Sequence, residues 1–125
     1  MLTAVEVTSP LLPSPRKAWL QPSLTGQSPD CLIFLDGELY IEHVKAPEIL
    51  HDLQSTGQPS PFTSIYLSSP DAAARHIDFT CNETYSLFLA TDLRRWLENV
   101  AGTYKRYFLC GLSLTRIFHP ILDLQ

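Results

Sequence analysis

The sequence predicts an α/β domain, a mainly parallel sheet with flanking helices preceded by N-terminal edge strands. Three observations predict it. A continuous apolar run at Cys31–Leu35, a second apolar strand at Phe62–Leu67 and a third buried-type strand at Tyr107–Cys110 alternate with two helical patterns, giving the order β-α-β-α-β from residue 31 onward. Parallel strands joined by crossover helices are the usual solution to that alternation. The length, 125 residues, allows one domain, and a compact chain of this size buries roughly two-thirds of its unfolded surface. The composition, 45% hydrophobic and 18% charged with a mean hydropathy of +0.01, excludes wholesale disorder, a collagen-like repeat and a coiled coil.

Half of the ten prolines precede residue 30, so residues 1–30 read as punctuated edge strands and loops. Ala4–Thr8 alternates as a short strand does, and Arg16–Leu20 reads as a second strand, giving an edge hairpin or two edge strands. Cys31–Leu35 is apolar throughout and stops at Asp36-Gly37-Glu38, the pattern of a central strand buried on both faces. Ala46–Gln54 reads as a helix with Pro47 in its first turn, Ile49, Leu50 and Leu53 on one face, and Gly57 just beyond. Gln58-Pro59-Ser60-Pro61 breaks the chain before the Phe62–Leu67 strand. Tyr85, Phe88, Leu89, Leu93, Trp96, Leu97 and Val100 fall at offsets 0, 3, 4, 8, 11, 12 and 15, one face of a single long helix whose other face is charged. Gly102 supplies its stop signal.

Charge and cysteine usage narrow the function. A net charge of −4 with nine scattered basic residues argues against a nucleic-acid partner, because phosphate binding needs clustered Lys and Arg. No apolar run reaches the ~18–20 residues that span a bilayer, and the first residues lack the pattern of a signal peptide. The expectation is a soluble, cytoplasmic protein with no membrane partner. Cys31, Cys81 and Cys110 fit neither a disulfide framework nor a metal clip and read as free thiols, with Cys110 inert on its buried-type strand. No metal and no cofactor is expected. Asn82-Glu83-Thr84 matches a glycosylation sequon, which without a secretion signal is a chance match.

Chemistry concentrates after the third apolar strand. Gly111-Leu112-Ser113-Leu114-Thr115 is one residue short of G-x-S-x-G, in which a serine sits on a sharp strand-to-helix turn with its Oγ above the sheet. Gly111 meets the pattern and Thr115 departs from it. Other segments extend the likeness. Leu32–Tyr40 resembles a strand ending in a D-G-x-x-[YF] turn, Ile49–Gly57 a following helix, Arg75–Asn82 an Arg/acidic/Cys-Asn segment, Phe88–Trp96 the helix before a nucleophile strand, and Leu109–Leu114 a nucleophile elbow. Together they resemble the enterochelin esterase and esterase D-like family of α/β-hydrolases. The resemblance covers about four-fifths of the chain, and its specificity lies in order and spacing more than in any single motif.

The resemblance implies the N-terminal part of an α/β-hydrolase fold, with a core at 31–115 ending at the nucleophile elbow and a divergent tail at 116–125. It implies a serine hydrolase of carboxylic esters, including siderophore triesters, acting through an acyl-enzyme on a small-molecule ester. Ser113 would be the nucleophile, with the backbone N–H groups of Leu114 and Gly37 as the oxyanion hole. Arg75 would bind a substrate carboxylate or phenolate, or else pair with Asp71 or Asp78. Such a serine needs a histidine and a carboxylate that follow it in the chain. Only twelve residues follow Ser113. His119 and Asp123 lie too near it in sequence to arrive from distant loops, while His43, His51 and His76 read as surface residues. The expectation is a truncated or frameshifted chain that keeps the nucleophile, lacks the general base, and has an exposed sheet edge prone to self-association. The alternative is a non-catalytic binding module derived from the same fold.

Overall fold

The computed structural model describes residues 2–24, 29–56, 62–68, 83–100, 102 and 104–110. Its five strands are β1 (Thr3–Val7), β2 (Arg16–Gln21), β3 (Asp30–Phe34), β4 (Phe62–Leu67) and β5 (Arg106–Cys110). A helical turn at Gly37–Leu39 runs into a π-helical turn at Tyr40–Val44. The longer helices are α1 (Ala46–Ser55), α2 (Glu83–Ala90) and α3 (Asp92–Val100).

One sheet forms, in the order β1-β2-β4-β3-β5. β3 is parallel to both β4 and β5, as the alternation of apolar runs and helices predicts. β1–β2 and β2–β4 are antiparallel, so the sheet is mixed. The N-terminal hairpin is present, but only β1 lies at an edge. β2 is interior because its second side pairs with β4, a long-range contact that local alternation cannot reveal.

Alternate side chains of each strand feed two cores. Val7, Ala18, Cys31, Ile33, Ile65, Leu67 and Tyr107 face α2 and α3, meeting Tyr85, Phe88, Leu89, Leu93 and Leu97. Phe34 and Tyr66 face the other way, against Ala46, with Trp19, Tyr40, Ile41, Leu50 and Cys110 packed around them. The apolar run of β3 follows from this covering on both faces, and β4 is buried along Thr63–Leu67 although Thr63 and Ser64 are polar. β5 departs from the buried strand expected, because it lies at the sheet edge with Phe108 exposed. At the start of β3 and β5, Arg106 donates to both carboxylate oxygens of Asp30, at 2.8 and 3.0 Å. These two residues are register partners. With the guanidinium mostly exposed, the pair contributes no more than about 1 kcal/mol, and its effect is on register.

The long helix read from Tyr85 to Val100 is two helices. Thr91 separates them while keeping the ladder, since its N–H donates to Leu87 O at 3.0 Å and its carbonyl accepts from Arg95 N. The Thr91 hydroxyl also donates to Leu87 O, at 2.6 Å, and back-bonding of this kind bends a helix. Val100 departs from the core face and is exposed. Ile49 and Leu53 of α1 are also exposed, and Leu50 is the member of that predicted apolar face that packs inward.

Candidate active site

The chain makes its crevice by reversing direction. From β3 it crosses to β4 through the turns and α1 on one face, then returns past β3 to β5 through α2 and α3 on the other. Right-handed crossovers in opposite directions along a sheet must use opposite faces. Adjacent parallel strands whose outgoing chains diverge in this way leave a crevice outside their carboxyl ends, where α/β proteins bind ligands. In this chain that crevice lies at the ends of β3 and β4, beside the end of β5.

Asp36 and Gly37 follow β3 at this end of the sheet. Asp36 is buried and left-handed, with φ 58° and ψ 50°, a conformation that non-glycine residues other than Asn and Asp rarely hold. Its carbonyl accepts from Leu39 N at 3.0 Å and Tyr40 N at 3.3 Å, which closes the first helical turn. Gly37 is required by proximity. A Cβ there would lie 2.8 Å from the Tyr66 carbonyl carbon and 3.0 Å from both Leu67 N and Leu67 O. All three are backbone atoms of β4. Gly37→Ala must therefore move the turn or the strand, and overpacking of this kind costs about 1–3 kcal/mol. Urea unfolding is expected to show that loss, and an unchanged midpoint would contradict the close packing of the turn on β4.

The end of β5 adjoins the same turn. Leu35 N donates to Cys110 O at 2.9 Å, so β3–β5 pairing continues to the residue before Asp36. The chain therefore leaves β5 beside the Asp36-Gly37 turn, three residues before Ser113. Ser113, Leu114, Gly111 and Arg75 lie outside the described residues, as do His76, His119, Asp71, Asp78 and Asp123. Of the expected site residues, Gly37 is the one described. His43, on the π-helical turn, is exposed, and His51, on α1, is partly so.

An aromatic stack backs the turn. The Phe34 ring stacks on Tyr66 at 4.8 Å and 11°, and tilts against Tyr40 at 4.9 Å and 55°. The Tyr66 hydroxyl donates to Gln21 Oε1 at 2.7 Å, and Gln21 Nε2 donates to Pro47 O at 2.9 Å. This relay ties β4 through β2 to the start of α1. Burial raises the pKa values of both phenols above the usual tyrosine range, so they remain protonated donors.

Burial also raises the thiols, Cys31 to about 12 and Cys110 to about 11. They occupy opposite faces of the sheet. From an ordinary value of 9.0, a shift of this size lowers the Cys110 thiolate fraction at pH 8 about 100-fold. Iodoacetamide is expected to label Cys110 about 100-fold more slowly than a free thiol at that pH, followed site by site by mass spectrometry. Labelling at the free-thiol rate would contradict the packing around β5.

Sequence reasoning missed Arg16, Glu38 and Ser68. Ser68 follows β4, and its hydroxyl donates to Glu38 Oε2. Arg16, buried at the start of β2, donates from Nη1 to Ser68 O at 3.2 Å and lies over the Tyr85 ring at 5.8 Å. A signal for Arg16 was present, since it shares a strand face with the buried Ala18. Glu38 and Ser68 carry none. Among the described residues, no group of three or more His, Cys, Asp or Glu is placed to hold a metal ion. No helix among them is long and apolar enough to cross a membrane. A cleft of about 340 Å³ lined by Thr8, Pro10, Asp92, Arg95, Trp96 and Asn99 lies by β1, at the sheet edge opposite β5.

The strand order and the helices on both faces make this an α/β fold with a mixed sheet, of the α/β-hydrolase kind seen in similar solved structures. Similar solved structures have the same fold. Enterochelin esterase from Shigella flexneri matches with a TM-score of 0.85 at 18% identity, over 98% of this chain and 32% of its own. Siderophore hydrolase EstA from Aspergillus nidulans matches at 0.74 and 16% identity, over 94% of this chain and 50% of its own. An IroE-like serine hydrolase from Shewanella oneidensis matches at 0.73 and 16% identity, over 98% and 44%. The chain thus spans about a third of the length of the first of these and no more than half of the others. Neither a protein-family model nor a curated protein sequence matches it.

Proposed function

We propose that this chain is the nucleophile-bearing part of a serine-type carboxylic ester hydrolase, with siderophore esters as the substrate class. The observation that carries the reading is the Leu35–Cys110 hydrogen bond, because it sets the departure point of the Ser113 segment against the Asp36-Gly37 turn. In the proposed reaction the Ser113 oxygen attacks the ester carbonyl carbon and its proton passes to a base. The carbonyl oxygen takes up the electron pair and accepts hydrogen bonds from the N–H groups of Gly37 and Leu114. Collapse expels the alcohol, which takes a proton, and leaves an acyl-serine for water to hydrolyse. Arg75 would receive a carboxylate or phenolate of the substrate. The substrate class rests on what the similar structures are called, enterochelin esterase and siderophore hydrolase.

No histidine of residues 1–125 is proposed as the base. His43 and His51 lie on the elements after β3, and we assign neither this role. The chain by itself is therefore proposed to be inactive, and we place it in the cytoplasm, where its cysteines would remain reduced. Hydrolysis of a p-nitrophenyl ester with added imidazole, compared between the wild-type chain and Ser113→Ala, tests the reading. Ser113-dependent turnover supports it, and identical rates contradict it.

A further inference from the structure

We propose that Glu38 is a positioning residue that locks the Gly37 turn onto the end of β4, with Ser68 as its partner. This deepens the esterase reading and rests on it for the role of the Gly37 N–H. Gly37 touches β4 through backbone atoms alone, so its packing resists approach but offers little against the turn lifting away. The next residue supplies that restraint. Glu38 accepts the Ser68 hydroxyl hydrogen bond, and a carboxylate acceptor makes the bond stronger than a neutral one. Ser68 is itself buried. Its carbonyl accepts from Arg16 Nη1, and its N–H donates to Lys17 O at 2.9 Å, so the residue that Glu38 grips is bonded to β2 on its backbone. The restraint thus runs from β2 through Ser68 to Glu38 and into the turn closed on the Asp36 carbonyl. Held there, the turn keeps the Gly37 N–H at the place the proposed oxyanion hole assigns to it, and catalytic donors need to be fixed to within about 0.5 Å.

Amide hydrogen exchange on the full chain tests this directly, read at the Leu39 and Tyr40 N–H groups that bond Asp36 O. Glu38→Ala and Ser68→Ala are expected to speed exchange there about tenfold, while Ile33 and Ile65 in the central strands keep wild-type protection. Glu38→Gln retains an acceptor oxygen and is expected to stay within about twofold of wild type. Unchanged Leu39 and Tyr40 exchange in Glu38→Ala would overturn the proposal, as would equal acceleration in Glu38→Gln and Glu38→Ala. In the imidazole assay, Glu38→Ala is expected to lower kcat about tenfold with KM unchanged, and Glu38→Gln to restore it. If wild type lacks Ser113-dependent turnover, the esterase reading fails, and the exchange data still decide the positioning role. If wild type has that turnover and Glu38→Ala retains it in full, the positioning role fails alone.

Discussion

Tyr66→Ala is expected to destabilise the fold by about 3–5 kcal/mol, the range for removing a large aromatic side chain from a core. Tyr66 is fully buried and serves three contacts at once. Its ring stacks on Phe34, its hydroxyl donates to Gln21, and its carbonyl carbon is the atom against which Gly37 rests. Truncation removes the stack and leaves Gln21 Oε1 buried without that donor. Native stability is of order 5–15 kcal/mol, so the variant should be near unfolding at 25 °C. Tyr66→Phe separates the contributions, since it keeps the stack and loses only the hydrogen bond, at about 1–3 kcal/mol for the unsatisfied partner. Urea unfolding of both variants measures the difference. Equal losses would mean that the hydroxyl, and not the ring, carries the stability.

The central strand β3 was legible because a strand covered on both faces is apolar along most of its length. Cys31–Leu35 stands out for that reason, whereas Phe62–Leu67 includes the polar Thr63 and Ser64 and Tyr107–Cys110 leaves Phe108 exposed; β3, β4 and β5 nonetheless lie within a residue of the predicted bounds at each end. The neighbours of β2 were not legible. Its second partner, β4, begins 41 residues after the last residue of β2, from Gln21 to Phe62, and nothing local in Arg16–Gln21 marks a second pairing edge. The break before helix α3 shows the limit of periodicity, because Thr91 has ordinary helical spacing and its hydroxyl bond to Leu87 O has no sequence signature. At the site, the Asp36-Gly37 stop was readable as a turn, but its reason was not. Gly37 is required by the approach of β4, and Glu38 meets Ser68 across thirty residues of chain.

Under the proposed reading Ser113, which follows β5 in the sequence, is the nucleophile, and none of the histidines in residues 1–125 is assigned as its base. Near neutral pH an unassisted serine hydroxyl stays protonated, and a positioned general base normally supplies about 10²–10⁴-fold in rate. The chain alone is therefore expected to hydrolyse a p-nitrophenyl ester no faster than Ser113→Ala. Ser113-dependent turnover without any additive would mean that one of the four histidines already serves as the base. Imidazole in solution can take the same proton without being held in place, so it should recover part of that factor, about tenfold. The most direct measurement is the imidazole-dependent rate of the wild-type chain minus that of Ser113→Ala, with both confirmed as folded. A positive difference that rises with free imidazole and falls in Gly37→Ala is expected. Imidazole acceleration identical in wild type and Ser113→Ala would contradict it.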